Sequence, residues 1–194
     1  MAWRQIAGFV FFSLLLILAG CMAATREVSS PYQTRLDALI RDLTDKPFSL
    51  HVVENSPRLA FVDMRTSSIS VNAAWTNMLM SRSPNLMRAV LAHEIAHVQL
   101  GHYNVRYELG ETIATLLQGL ELEADRGAID ILHARGFNPR DYLQMMRFFK
   151  AIEDKNPRGT VEQFYSSHPY AGDRIERAEK IIAALPPLGK SSGR

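Results

Sequence analysis

Two histidines and a glutamate within five residues carry the most legible chemistry of this chain. Residues 92–97 read Ala92-His93-Glu94-Ile95-Ala96-His97, an H-E-x-x-H pattern. Residues four apart on a helix share a face, so the His93 and His97 imidazoles can reach one ion. Glu94 follows the first histidine and lies about 100° further round the helix. Its carboxylate then sits beside the metal, where it can take a proton from water as a general base. The helix is well marked. Leu86, Met87, Val90, Leu91, Ile95 and Val98 keep helical spacing, Ser83-Pro84 reads as a cap with proline at the first helical position, and Gly101 reads as a stop.

Two histidines do not complete a hydrolytic zinc site, which keeps three protein ligands and one open position. The segment Glu121-Leu122-Glu123-Ala124-Asp125 places Glu121 and Asp125 on one helix face, with Glu123 pointing away. One carboxylate can bind the metal while the other accepts the free N–H of a ligand histidine, and Glu121 is the leading candidate for third ligand. Glu108 and Glu111 compete for that place, but neither has an acid four residues on. A third histidine ligand would require the longer spacing H-E-x-x-H-x-x-G-x-x-H. Gly101 and His102 stand at other offsets, so His102 reads as a surface residue at the helix end.

Helices and a few strands must position these groups. Residues 31–45 carry the stripe Leu36, Leu39, Ile40 and Leu43 behind Ser30-Pro31, and Pro47 ends it. Residues 48–53, 58–63 and 68–71 read as short strands, with 54–57 as a turn. The third of these is expected to be an exposed edge onto which substrate adds as an antiparallel strand. Residues 73–81 form a helix ahead of the metal helix. A long helix follows over 107–135, in which Gly110, Gly119 and Gly127 each weaken helix propensity by up to ~1 kcal/mol and mark close packing or a break. Gly136 caps it, Asn138-Pro139 opens the next helix, and a last helix spans 173–185. The sum is a helix-rich α+β domain with a small antiparallel sheet before the metal helix. The aromatics Tyr142, Phe148, Phe149, Phe164 and Tyr165 read as core, and His51 and His133 as structural or solvated.

Hydrophobic residues make up 47% of the 194, enough for a packed core. A net charge of +2, with no basic stripe and no Gly-rich phosphate loop, gives nucleic acid no foothold. Residues 1–20 read as a signal peptide, with Arg4 ahead of an apolar run over 9–18. Leu18-Ala19-Gly20-Cys21 resembles the bacterial lipobox, in which the cysteine is cleaved free and diacylated. Cys21 is the only cysteine, so no internal disulfide competes for it. Met22 stands where lipoproteins kept in the inner membrane usually carry Asp, which favours the outer membrane, facing the periplasm. Residues 21–30 are then a tether, 31–187 the domain and 188–194 a loose tail.

The HEIAH run, the later E-x-E-A-D-R over residues 121–126 and an H-P-x-x-x-x-R element from His168 to Arg174 together resemble the gluzincin zinc peptidases, and among them the HtpX-like members of peptidase family M48. The resemblance covers about residues 48–185. It implies a zincin-like domain holding one Zn2+ per chain on His93, His97 and Glu121, with Glu94 as general base and Asp125 hydrogen-bonded behind the ligands. It also implies protein or peptide substrates. Two features depart from the pattern. The N-A-x-A-x-P-G-G stretch is missing from residues 58–72, and the segment between HEIAH and Glu121 is short for a substrate-covering hairpin. His168 has three open roles: a fourth zinc ligand at rest, an oxyanion donor with Arg174 as helper or loop anchor, or a cap on the following helix. The sequence therefore reads as a lipid-anchored periplasmic zinc endopeptidase acting on misfolded or envelope proteins. A zinc hydrolase of a non-peptide substrate is a lesser reading. The rival from another class is a catalytically quiet envelope binding or assembly factor, which would have no need of Glu94.

Overall fold

A computed structural model of the chain describes residues 25–56, 58–63, 65–102, 114–155 and 171–188. The first helix, α1 (Gln33–Leu43), buries the stripe Leu36, Leu39, Ile40 and Leu43 that its spacing marks. The Ser30 hydroxyl accepts from the Tyr32 N–H at 3.2 Å and fixes its entrance. Four strands follow the chain as β1 (Arg26–Glu27), β2 (Ser49–Glu54), β3 (Ala60–Asp63) and β4 (Ser68–Asn72). They form one sheet in the order β1-β2-β4-β3.

Two expectations about this sheet are corrected. It is mixed, not antiparallel, because β2 and β4 pair in parallel, with Leu50 opposite Ile69 and Val52 opposite Val71. β4 is also an interior strand, not an exposed edge, since β3 covers its other side antiparallel, Phe61 opposite Ser70. The physical reason lies in the pattern of β4. Ile69 and Val71 are both fully buried, and an interior place leaves neither side of its backbone unpaired. Residues 26–27, read as part of a tether, pair antiparallel with Glu54 and Val53 and form the outer strand on the β2 side.

Asn72 ends β4 and caps α2 (Ala73–Arg82), its side-chain oxygen accepting from the N–H groups of Ala74 and Trp75. Ser83-Pro84 then turns the chain directly into α3 (Pro84–Gln99), the helix that carries HEIAH. It is buried along most of its length, from Leu86 to His97, and touches α1, α2 and β3. Three further helices complete the described fold: α4 (Ala114–Ala134), α5 (Arg140–Lys155) and α6 (Ala171–Ala184). α4 and α5 pack on α3, and α6 packs on both α4 and α5. The core joins Leu36, Ile69, Leu91, Ile95, Leu132 and Phe149 in one cluster. Trp75 meets Phe149 edge-on with ring centroids 5.6 Å apart, so its ring belongs to the packing around that core. Among the described residues, no helix is long and apolar enough to cross a membrane.

α4 runs unbroken past Gly119 and Gly127, and the two glycines differ in kind. A Cβ at Gly119 would meet nothing within 4 Å, whereas one at Gly127 would stand 2.9 Å from the Cβ of Ala96. Gly127 therefore marks close packing. It lets α4 approach α3 at the alanine between Ile95 and His97, and so brings the acids of α4 against the histidines of α3. Gly110 lies outside the described residues.

Candidate metal centre

The helical phase of α3 turns His93, Glu94 and His97 inward, and all three are buried. α4 answers from the opposite side with Glu121, which is fully buried. The Nε2 atoms of His93 and His97 lie 3.1 Å apart. Glu121 Oε2 is 3.2 Å from His93 Nε2, and Glu121 Oε1 is 3.4 Å from His97 Nε2. These three residues form a group that could hold a metal ion. Ligand atoms about 2.0–2.1 Å from a tetrahedral zinc stand roughly 3.3 Å from one another, so the spacing observed suits the ion as closely as the donor types do.

Behind His93 lies a buried polar chain. Its Nδ1 is 3.0 Å from the Tyr142 hydroxyl and 3.3 Å from Asp125 Oδ1. The Tyr142 hydroxyl donates to Asp125 in a short bond. Its oxygen is thus left to accept from the His93 Nδ1–H. Arg174, on α6 and itself buried, grips Asp125 with both ends of its fork. Nε donates to Oδ2 at 2.7 Å and Nη2 to Oδ1 at 2.5 Å. Arg174 Nη2 is also 3.8 Å from Glu121 Oε2. Asp125 therefore stands behind the His93 ring, in contact at 3.3 Å and joined to it through the Tyr142 hydroxyl, and Arg174 anchors it.

The electrostatics follow from this crowding. Burial works to lower the His93 pKa, but the hydrogen bonds and charges of Asp125 and Glu121 outweigh it and raise the group from 6.5 to about 9. Burial alone would raise Asp125; the charge and hydrogen bonds of Arg174, with help from His93, hold it well below the usual carboxylate range. Burial beside Asp125 pushes the Tyr142 phenol far up, so it stays a hydrogen-bond donor at any working pH.

His102 corrects the sequence reading. It is not a surface residue but 1% exposed, with Nδ1 2.8 Å from Nδ1 of His97. The reason is Gly101. Its φ of +69° is a left-handed conformation that ends α3 and turns His102 back against the helix. Burial holds the His102 pKa below its ordinary value against the opposing pull of Glu123. Glu123 points away from the metal cluster, as expected, yet its Oε2 comes within 3.3 Å of His102 Nε2. That contact lacks the alignment of a formed hydrogen bond.

Glu94 lines a cavity together with Val90, His93, Tyr142, Met145, Met146 and Arg174. A carboxylate and two methionines thus share a recess at the edge of the metal cluster. His51 sits in the sheet, 2.9 Å from Glu27, and the His133 ring is 2.9 Å from the Pro186 carbonyl, so both serve the frame. Cys21, Glu108, Glu111 and His168 lie outside the described residues. Tyr142 and the inward place of His102 escaped the sequence. Tyr142 falls in an ordinary apolar stripe, and only the Gly101-His102 pair hinted at a reversal.

A model of peptidase family M48 matches residues 25–120 and 116–182. Comparison with curated proteins found no match. The family match takes in α3 and α4, the two helices that meet at the His93, His97 and Glu121 cluster, and spans most of the chain. The chain therefore belongs to peptidase family M48, and that membership implies zinc metallopeptidase activity.

Proposed function

We propose that this chain is a zinc-dependent endopeptidase of the HtpX-like, lipoprotein type, with a zincin-like site and an anchor on Cys21 that holds it at the periplasmic face of the outer membrane. The observation that carries the peptidase reading is the set of 3.1, 3.2 and 3.4 Å separations among His93, His97 and Glu121, with Glu94 one residue from the first ligand. His93, His97 and Glu121 would hold the Zn2+, and two neutral imidazoles with one carboxylate would leave it the net positive charge needed to polarise a peptide carbonyl and acidify water.

The chain's own groups do the rest. Glu94 accepts a proton from the attacking water and passes it to the leaving amine. It lines the cavity beside Met145 and Met146, so the transfer would take place against a partly apolar wall. Tyr142 and Asp125 hold the His93 ring so that Nε2 faces the cluster. Arg174 keeps Asp125 ionised and oriented from α6. His168, in the H-P-x-x-x-x-R element, is a candidate oxyanion donor or resting ligand. Leu18-Ala19-Gly20-Cys21 supports the anchor, and placement in the envelope supports a role in protein quality control there.

A labelled-casein assay tests the activity. The zinc-loaded mature domain is expected to cleave casein, to stop when a chelator strips the metal, and to recover when zinc is restored. Zinc-loaded protein with no cleavage of casein or of unfolded envelope proteins would favour a binding factor instead.

A further inference from the structure

The two histidines of the cluster are backed differently, and the second backing has no assigned role. His93 rests on Tyr142 and Asp125, whereas His97 rests on His102. The 2.8 Å separation of the two Nδ1 atoms requires one proton between them. His97 Nε2 faces His93 Nε2 and Glu121 Oε1, so it must present a lone pair there to ligate. A neutral His97 then carries its proton on Nδ1, and His102 Nδ1 is the acceptor. His102 in turn carries its proton on Nε2, the atom facing Glu123 at 3.3 Å. His102 is no ligand itself, because its Nδ1 is committed to the edge of His97 that faces away from the cluster.

We infer that His102 is a positioning residue of the metal centre, which accepts the Nδ1 proton of His97 and so fixes the Nε2 lone pair of His97 on the metal side, with Glu123 favouring the matching tautomer of His102. The three acids of the E-x-E-A-D segment then divide the work. Glu121 is the ligand, Asp125 serves His93 together with Tyr142, and Glu123 serves His97 through His102. Glu123 is 65% exposed and out of line, so its share is the smallest. Gly101 makes the arrangement possible, since its left-handed turn puts His102 under His97. This inference rests on the metal reading proposed above.

The test measures zinc affinity by competition with a chromogenic chelator in wild type, His102→Leu, His102→Asn and Glu123→Ala. His102→Leu removes the acceptor and leaves a buried N–H on His97. Zinc affinity is expected to fall about 10- to 100-fold, the range seen when partners of ligand histidines are lost. Asn offers a carbonyl oxygen near the place of Nδ1 and is expected to restore most of the loss. A merely space-filling role would be served at least as well by Leu as by Asn. Glu123→Ala is expected to weaken zinc by a few-fold only. Nitrogen NMR of the zinc-loaded protein supplies the second readout, with the proton expected on Nδ1 of His97 and on Nε2 of His102. Wild-type affinity in His102→Leu, or His102 carrying its proton on Nδ1, would overturn the inference while leaving the metal reading intact. If His102→Leu does not fold, the NMR assignment on wild type still decides. A wild-type protein that takes up no zinc would overturn the metal reading and this one with it.

Discussion

At the level of single residues, the metal cluster is a place where a proton and a cation compete. Asp125 and Glu121 hold the His93 pKa at about 9, so metal-free protein at neutral pH carries a proton that zinc must displace. The sign is fixed by the direction of that shift. A raised folded-state pKa stabilises the metal-free protein fully below 6.5, and the contribution is lost as pH rises through about 9. Zinc affinity is expected to run the opposite way, climbing with pH and levelling off above about 9. Calorimetric titration of zinc at pH 7.5, in two buffers of different ionisation enthalpy, should show close to one proton released from His93. No release would mean that His93 is neutral before the metal arrives. The residues of this cluster were legible in the sequence to unequal degree. His93, Glu94 and His97 announce themselves because their spacing is local and helical. Glu121 and Asp125 needed a second helix to return at the right height, and the i, i+4 pairing of the two acids was the clue. Tyr142 gave none, since a phenol in an apolar stripe looks the same whether its hydroxyl meets a core gap or an Asp125 carboxylate.

Between elements, the decisive contact is the crossing of α3 and α4 at Ala96 and Gly127. The 2.9 Å that a Cβ at Gly127 would leave to the Ala96 Cβ is closer than real side chains come. Gly127→Val is therefore expected to force the helices apart, costing about 1–3 kcal/mol. It should also draw Glu121 away from the histidines and weaken zinc binding. Gly119→Ala, eight residues earlier on the same helix, meets open space and is expected to be neutral or stabilising by up to ~1 kcal/mol. Thermal melts of the two variants, with and without zinc, check the pair; equal effects would remove the close approach as the cause. Helix positions were readable because apolar periodicity reports burial one element at a time. Sheet order was not. The parallel pairing of β2 with β4 is a relation between residues far apart in the chain, Ser49 opposite Ser68, and the pattern of β4 says only that Ile69 and Val71 are buried. That is why an interior strand could be taken for an edge.

For the molecule as a whole, the described residues form one core with the His93, His97 and Glu121 cluster between α3 and α4, and a lipid anchor at Cys21 is proposed ahead of it. Cys21→Ser is expected to abolish lipidation and membrane retention without altering zinc binding or peptide cleavage by the domain. Membrane fractionation and the mass of the mature N-terminus check this, and unchanged retention would remove the lipid anchor from the account. The proposed anchor rests on composition and order alone, whereas the backing of His97 depends on a left-handed turn that Gly101 permits but does not compel. The central claim, that Glu94 is the proton acceptor beside a zinc held by His93, His97 and Glu121, is tested most directly by Glu94→Gln. Glutamine keeps the shape of the side chain and loses the basicity. The account expects a folded protein with one equivalent of zinc and cleavage of a labelled peptide reduced by at least about 10²-fold. Appreciable cleavage by zinc-loaded Glu94→Gln would contradict it.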